Sequence, residues 1–499
     1  MAPFDAYNAE WASRVNPRDW RNPEPAPRYH LVVIGGGTAG LVSAAIAAGL
    51  GARVALVECD SLGGDCLNVG CVPSKALIRA ARGWHDARRA AESFGGPETS
   101  GSGDSAAALS RMRALRAELS RVDSAERYRS LGVDVFLGEA RFASPDAVTV
   151  GDSVLRFRRA IVATGARAAV PPIPGLAATP FDTNASIFTL ASAPARLIVL
   201  GGGPIGAELA QAFARLGSIV TLVHSGQHLL PREDPDAGRV VAAALMADGV
   251  SLHHGMAVSD VGWREGVFTL RSASAGLELR ADRLLVATGR APNVEDMGLD
   301  AAGIAYSSRG VTVDDRLRTT NRRVFAIGDV ASRLQFTHVA DAQARLAVAN
   351  ALFFGAGGGR NSRLVVPRVT YTSPEVATVG LTEAEAIEGG HRVETVVVPM
   401  AEVDRAALDG DGSGFLKIVL RAGSDRILGG TLVADHAGEM ISELTLAMSR
   451  RIGLSAVGAT VHPYPTQGAV YRRAADAWRR ARLTPSAQRV LRAWFRWFA

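Results

Sequence analysis

At 499 residues, with 47% hydrophobic and 21% charged side chains, the chain has the make-up of a folded protein of two to four domains, not a disordered one. Its formal charge of +6 is spread thinly and forms no basic block interleaved with aromatics, which argues against a nucleic-acid partner. Three cysteines cannot staple a secreted fold of this size, the N-terminus lacks a basic-then-apolar leader, and the apolar runs break before spanning length, so a cytoplasmic protein is expected.

Residues 1–28, rich in Pro, Trp and Arg, read as an arm along the surface. From His30 to Glu58, HLVVIGGGTAGLVSAAIAAGLGARVALVE runs apolar strand, glycine turn, Ala-rich helix and second strand. Gly35, Gly37 and Gly40 give G-x-G-x-x-G at the strand-to-helix turn, where glycines let the backbone approach a pyrophosphate at the helix N-terminus. Glu58 stands where a carboxylate accepts from ribose hydroxyls.

GGDCLNVGCVPSK (63–75) follows, with Cys66, Cys71 and Lys75. Lys75 is one of only two lysines against 53 arginines, which suggests a role that a bulky guanidinium does not fill. Five positions apart on a regular helix, two Cα atoms stand about 8–9 Å apart and ~140° round the axis, beyond the roughly 7 Å reach of a disulfide. A bridge therefore needs a broken helix, and Gly70 with Pro73 supplies the irregularity. Over so short a loop a bridge has little value as a staple, which favours a bond that opens and closes, its thiolate steadied by a helix resuming at Ser74. Two other readings stand beside it. The cysteines are ordinary buried thiols, or they ligate a metal, for which only Cys59 and His85 lie near while zinc asks for about four ligands.

Residues 93–105 (SFGGPETSGSGDS) read as a mobile loop, and 113–132 repeat apolar positions at helical spacing. IVATGA (161–166) is an apolar strand ending in a tight Thr-Gly turn. The strand–glycine–helix–strand pattern then recurs at 196–224, with Gly201, Gly203 and Gly206 in the same frame but His224 in place of the acid. Without that carboxylate a 2′-phosphate loses its repeller, so His224, with Arg232 beyond it, favours NADPH, with NADH as the alternative. The plain reading is that His224 ends a strand in solvent. LVATGRAPN (285–293) repeats the Thr-Gly turn, and TNRRVFAIGDV (320–330) delivers Asp329 to the carboxyl end of a strand, where ligands of α/β sheets bind. Residues 365–480 hold short β-rich runs and helices. In the tail QRVLRAWFRWFA, Arg489, Arg492 and Arg496 lie opposite Leu491, Trp494 and Phe498, suited to a membrane interface or to docking on the protein itself.

In order, GGGTAG with Glu58, GGDCLNVGCVPSK, ATG, GGGPIGAE, VFAIGD and HPYPT resemble the pyridine nucleotide–disulfide oxidoreductases over about residues 30–480, in their mercuric reductase and dihydrolipoamide dehydrogenase-like branch. The resemblance implies an α/β fold of two Rossmann-like dinucleotide-binding domains, for FAD and NAD(P), plus a C-terminal α+β dimerisation domain. Boundaries follow: an arm 1–28, FAD-binding segments 29–170 and 293–360 around an NAD(P)-binding domain 171–292, dimerisation domain 361–482 and amphipathic tail 483–499. By the same resemblance FAD is held by Gly35, Gly37, Gly40, Glu58, Gly64, Lys75, Thr164, Gly165, Gly328 and Asp329, the last on the ribityl chain. NAD(P)H is held by Gly201, Gly203, Gly206, His224 and Gly289. Cys71 lies against the flavin and takes the electrons, Cys66 attacks the substrate, and Lys75 approaches the flavin N5 edge while pairing with Glu208. No resident metal is implied.

The expected activity passes electrons from NADPH through FAD and Cys66–Cys71 to a disulfide or soft-metal acceptor. Direct flavin transfer to quinone or oxygen, or a membrane-associated redox sensor with little turnover, are the alternatives. In VHPYPTQGAV (461–470) the sequence departs from its lipoamide relatives. Their histidine and glutamate, reaching across a homodimer to protonate a leaving thiolate, are here Tyr464 and Ala469, and a phenol of pKa near 10 is a poor shuttle. His462, on the same face if the segment is a strand, is the candidate substitute. Tyr464 resembles the mercuric reductases, yet no cysteine follows Cys71 to provide their C-terminal vicinal pair, and no N-terminal C-x-x-C module is seen.

Overall fold

The computed structural model describes residues 3–99, 101, 103–273, 275–353 and 359–498. The chain forms two compact units, Met1–Ser225 with Asp248–Leu364, and Gly226–Ala247 with Val365–Ala499.

The first unit is built on continuous apolar runs that suit parallel strands covered on both faces. Its main sheet has the order Val133–Leu137, Val54–Glu58, Tyr29–Ile34, Ser153–Val162, Ala147–Val150, Ala140–Ser144, with Val324–Ala326 also paired to Ser153–Val162. Strand Ser153–Val162 changes partner along its length. Its first half pairs antiparallel with Ala147–Val150, and its end lies parallel between Tyr29–Ile34 and Val324–Ala326. Leu31 and Val33 face one core and Val32 and Ile34 the other, as alternating side chains must. A second parallel sheet has the order Ser251–His253, Ile219–Val223, Arg196–Leu200, Arg283–Val286, beside the antiparallel meander Asp260–Arg264, Val267–Ser272, Leu277–Ala281. The two Thr-Gly turns exit side by side. Arg290–Pro292 pairs antiparallel with Ala166–Ala168, and Thr164 and Asn293 bond each other in both directions, at 2.8 and 2.9 Å.

The N-terminal arm differs from the surface strap that its composition suggests. Helix Ala6–Val15 packs into the first unit with Trp11 and Val15 buried, because Asp5 caps it and Asp5 and Asn8 meet Arg113 and Arg116 of helix Ser105–Leu119. Before that helix, Ser100 and Ser102 of the expected mobile loop lie outside the described residues. Gly95 in left-handed conformation ends one helix, and the Asp104 side chain caps the next.

In the second unit the antiparallel sheet Pro367–Thr370, Glu375–Gly380, Ile427–Ala434, Phe415–Arg421, Val393–Pro399 is covered by helices Ala437–Ser449 and Ala469–Ala481. Residues Gly226–Ala247, inside the span expected for the NAD(P) domain, cluster with this unit. Their hold is electrostatic as well as apolar: Lys417 Nζ, on strand Phe415–Arg421, donates to Asp234 Oδ2 at 2.8 Å and Asp236 Oδ2 at 2.6 Å. Among the described residues no helix is long and apolar enough to cross a membrane.

Candidate active site

Two glycine turns of near-identical construction each lead from a strand into a helix. In the first, Gly35 has φ +106°, and a Cβ there would stand 2.3 Å from Ala163 O; a Cβ on Gly40 would stand 1.8 Å from Gly35 O. In the second, Gly201 has φ +126° and its Cβ would stand 2.3 Å from Ala287 O, while that of Gly206 would stand 1.9 Å from Gly201 O. Gly37 and Gly203 cap the following helices, Thr38–Gly49 and Pro204–Arg215, with no side-chain bond to the free N–H groups, so both termini offer bare donors to an anion. This backbone fits the phosphates of FAD and of a pyridine nucleotide.

The turns differ in one side chain. Glu58 accepts from Gly36 N at 2.5 Å and Asp60 N at 2.7 Å, and burial pushes its carboxyl up. His224, at the same place in the second turn, accepts from Gly202 N on Nδ1 at 3.2 Å. Cys59 is set aside by its neighbour: burial and the Glu58 charge push its thiol up to about 11.

The redox segment breaks where the sequence requires. Helix Gly64–Asn68 carries Cys66 and ends at Val69; Gly70 takes φ −135°, ψ −111°, and a Cβ there would stand 2.6 Å from Asp65 O. Gly64 opens that helix against Gly37 of the first glycine turn. A 24-residue helix, Cys71–Phe94, starts at Cys71, three residues earlier than the sequence suggests, because Pro73 is at home in a first turn where no N–H is needed. Cys71 is exposed and Cys66 half-buried. The neighbouring Cys66 thiol holds the Cys71 pKa down to about 6, helped, against the desolvation of its sulfur, by the Thr337 hydroxyl at 3.3 Å and the Lys75 charge. The Cys71 sulfur, together with burial, pushes Cys66 up in turn.

Lys75 Nζ donates to Glu208 Oε2 at 2.8 Å, with the carboxylate buried in helix Pro204–Arg215. Asp329 follows strand Val324–Ala326 and faces Arg290 Nε at 3.3 Å. Arg290 also bonds Asp65, on the Cys66 helix, and Ala166 O at 2.6 Å. Gly328 N donates to Gln343 Oε1 at 2.8 Å, Gly165 O accepts from Asn293 N at 3.0 Å, and Gly289 O from Ala169 N at 2.9 Å.

Three contributors escaped the sequence reading: Thr337, Arg290 and the brace under the dithiol turn. Trp11 Nε1 donates to Asn68 Oδ1 at 2.8 Å, Asn68 Nδ2 bonds Ser61 O and Leu62 O, and Arg116 Nη1 donates to Asn68 O at 2.9 Å. The Arg116 guanidinium lies 4.7 Å from the Trp11 ring centroid. Apart from Asn68, which lies between the two cysteines, none of these residues neighbours them by any recognisable spacing.

In the second unit, His462 does not share a face with Tyr464. The segment is irregular rather than a strand; His462 turns inward to Glu443 (Nε2 to Oε1, 2.9 Å), while Tyr464, 77% exposed, donates to Asp404 Oδ2 at 3.2 Å. Nor do Cys59 and His85 join the two redox cysteines, since His85 pairs with Asp248.

The family described as pyridine nucleotide-disulphide oxidoreductase matches residues 29–344, and its dimerisation domain matches 366–475. A mercuric reductase of Acidithiobacillus ferrooxidans is 39% identical over 450 residues, 88% of this chain and 80% of the relative. A dihydrolipoyl dehydrogenase of Thermus scotoductus is 36% identical over 465 residues, 90% of this chain and 97% of the relative. Among solved structures, the Cu(II) complex of a cysteine-to-serine mutant of RclA, the HOCl-induced flavoprotein disulfide reductase of Escherichia coli, superposes with TM-score 0.81 at 29% identity, over 90% of this chain and 99% of that one. The chain belongs to the pyridine nucleotide-disulphide oxidoreductase family, as an FAD-dependent enzyme using NAD(P)H, with the dimerisation domain of a homodimer.

Proposed function

We propose that the protein carries electrons from NADPH to Cys66 and Cys71 and delivers them to a soft metal ion. The observation that carries this reading is the placement of the pair: Cys66 on a short helix broken at Gly70 and Cys71 opening a long one, with the Thr337 hydroxyl 3.3 Å from the Cys71 sulfur and Lys75 one turn further on. Bound FAD supplies the two-electron link between nicotinamide and sulfur. Lys75, held by Glu208, supplies a compact positive charge beside Cys71, and Arg290 fixes Asp329 and the Cys66 helix together. We read 29–170 with 293–360 as the FAD-binding segments, 171–292 as the nucleotide domain and 361–482 as the interface domain, whose Tyr464 segment serves the partner's site.

The acceptor follows from the proton balance. A disulfide acceptor leaves as two thiols and needs a donor for its leaving thiolate. A soft divalent ion needs none: two thiolates bind it, it takes two electrons and departs as the neutral metal, and NADPH becomes NADP⁺ with release of one proton. Tyr464, bonded to Asp404, and His462, tied to Glu443, do not form a shuttle with each other. The relatives named mercuric reductase and the Cu(II) complex of RclA agree with this choice. For the nucleotide, His224 stands where Glu58 stands in the first turn but without its negative charge, which suits a 2′-phosphate where Glu58 suits a hydroxyl.

The test is Hg²⁺-dependent NADPH oxidation by Cys66→Ser. The variant is expected to keep its flavin and its anaerobic reduction by NADPH while losing metal turnover at least about 100-fold. Parent-level turnover in the variant sinks the proposal and leaves direct flavin transfer to quinone or oxygen.

A further inference from the structure

Helix Ala469–Ala481 docks on the second unit through Val470, Tyr471, Ala474 and Ala475, all buried. The helix that follows, Pro485–Phe498, buries none of its residues. It is nevertheless well started: Pro485 opens it, and Ala487 N donates to Thr484 Oγ1 at 3.2 Å. At 100° per residue, Arg489, Arg492 and Arg496 fall within an arc of about 60°. Diametrically opposite stand Trp494, Phe498 and Leu491, with Trp494 stacked on Phe498 at 6.1 Å. Trp494, Trp497 and Phe498 are 52%, 77% and 73% exposed.

We infer that this helix is a docking surface for an anionic phospholipid bilayer. Charge selects the occupant. After Asp476 the sequence contains six arginines and no acid, and among the described residues the three helix arginines have no carboxylate partner. A second copy packing on the apolar face brings like charges together and, from a chain of net charge +6, no anionic excess to meet them. Anionic headgroups meet the arginines directly, and indole rings are at home at the headgroup boundary, with an apolar face and a polar N–H. About 21 Å long, the helix is too short to span a bilayer and suits lying in its surface. It also lies beyond residue 475, where the family match ends, so its sequence is not accounted for by the shared fold.

The experiment is co-sedimentation of the full-length holoenzyme with vesicles of equal parts phosphatidylglycerol and phosphatidylcholine, and with phosphatidylcholine alone. The protein is expected to partition at least about tenfold more to the anionic vesicles, with Trp emission shifting to the blue. Deleting residues 486–499 is expected to abolish both effects, and the triple variant Arg489→Gln, Arg492→Gln, Arg496→Gln to abolish the lipid preference. No binding to either vesicle, equal binding by the deleted protein, or a tail-dependent rise in oligomer mass without vesicle binding overturns the inference, the last result assigning the face to a second copy.

Discussion

Replacing Cys66 by Ala removes the largest influence holding the Cys71 thiol down at about 6. Its midpoint is expected to climb toward the ordinary thiol value of about 8.5. At pH 7 the thiolate fraction then falls from about nine-tenths to about 3%, roughly 30-fold. The alkylation rate does not fall in step, because a more basic thiolate is a stronger nucleophile. With a Brønsted slope of about 0.45, a rise of about 2.5 in pKa returns roughly 13-fold and leaves only about a twofold loss at neutral pH. The informative measurement is therefore the pH profile of iodoacetamide alkylation of the reduced holoenzyme, read for its midpoint rather than its rate at one pH. Thr337→Val is expected to move the midpoint the same way by less, since its bond is a smaller influence. A midpoint that stays near about 6 in Cys66→Ala, but rises in Lys75→Met, refutes the assignment and transfers the effect to the ammonium.

Gly40→Ala drives a methyl to 1.8 Å from Gly35 O, so the protein is expected to purify largely without flavin, read from the ratio of visible to near-ultraviolet absorbance. Lys417→Met leaves the buried Asp234 carboxylate unpaired and is expected to cost about 3 kcal/mol in denaturant unfolding. Burial pulls the Lys417 pKa down, but Asp234 and Asp236 raise it overall; the contribution is thus fully present below the unfolded lysine value and fades only as pH rises through the folded one, so the gap between parent and variant should stay flat from neutral to mildly alkaline pH. His224→Glu is expected to shift the NADPH-to-NADH ratio of kcat/KM toward NADH by about tenfold, with an unchanged ratio counting against the phosphate role. Trp11→Phe keeps the ring but strands Asn68 Oδ1, and is expected to cost about 1–2 kcal/mol of stability and to alter the alkylation rate of the distant cysteine pair.

The two glycine turns were readable because their geometry is local: strand, glycine, helix and second strand lie within one short stretch, and Gly35 and Gly201 admit no other side chain. The break between Cys66 and Cys71 was equally legible, since no regular helix brings those sulfurs together. The start of the following helix was placed three residues late because a proline was read as an interruption, whereas at a helix's first turn it costs nothing. Thr337 and Arg290 were invisible for a different reason. They reach the site across 266 and 225 positions of chain, and no periodicity encodes such a meeting. His462 was misjudged because a strand was assumed; the irregular backbone sends its ring to Glu443.

The indole of Trp11 ties the dithiol turn to helix Ala6–Val15, through an asparagine two places beyond Cys66. A protease nick in that helix, or a bulky tag beside it, should therefore register at the sulfurs. Preparations meant for redox titration are best tagged elsewhere and checked by intact mass before any potential is compared.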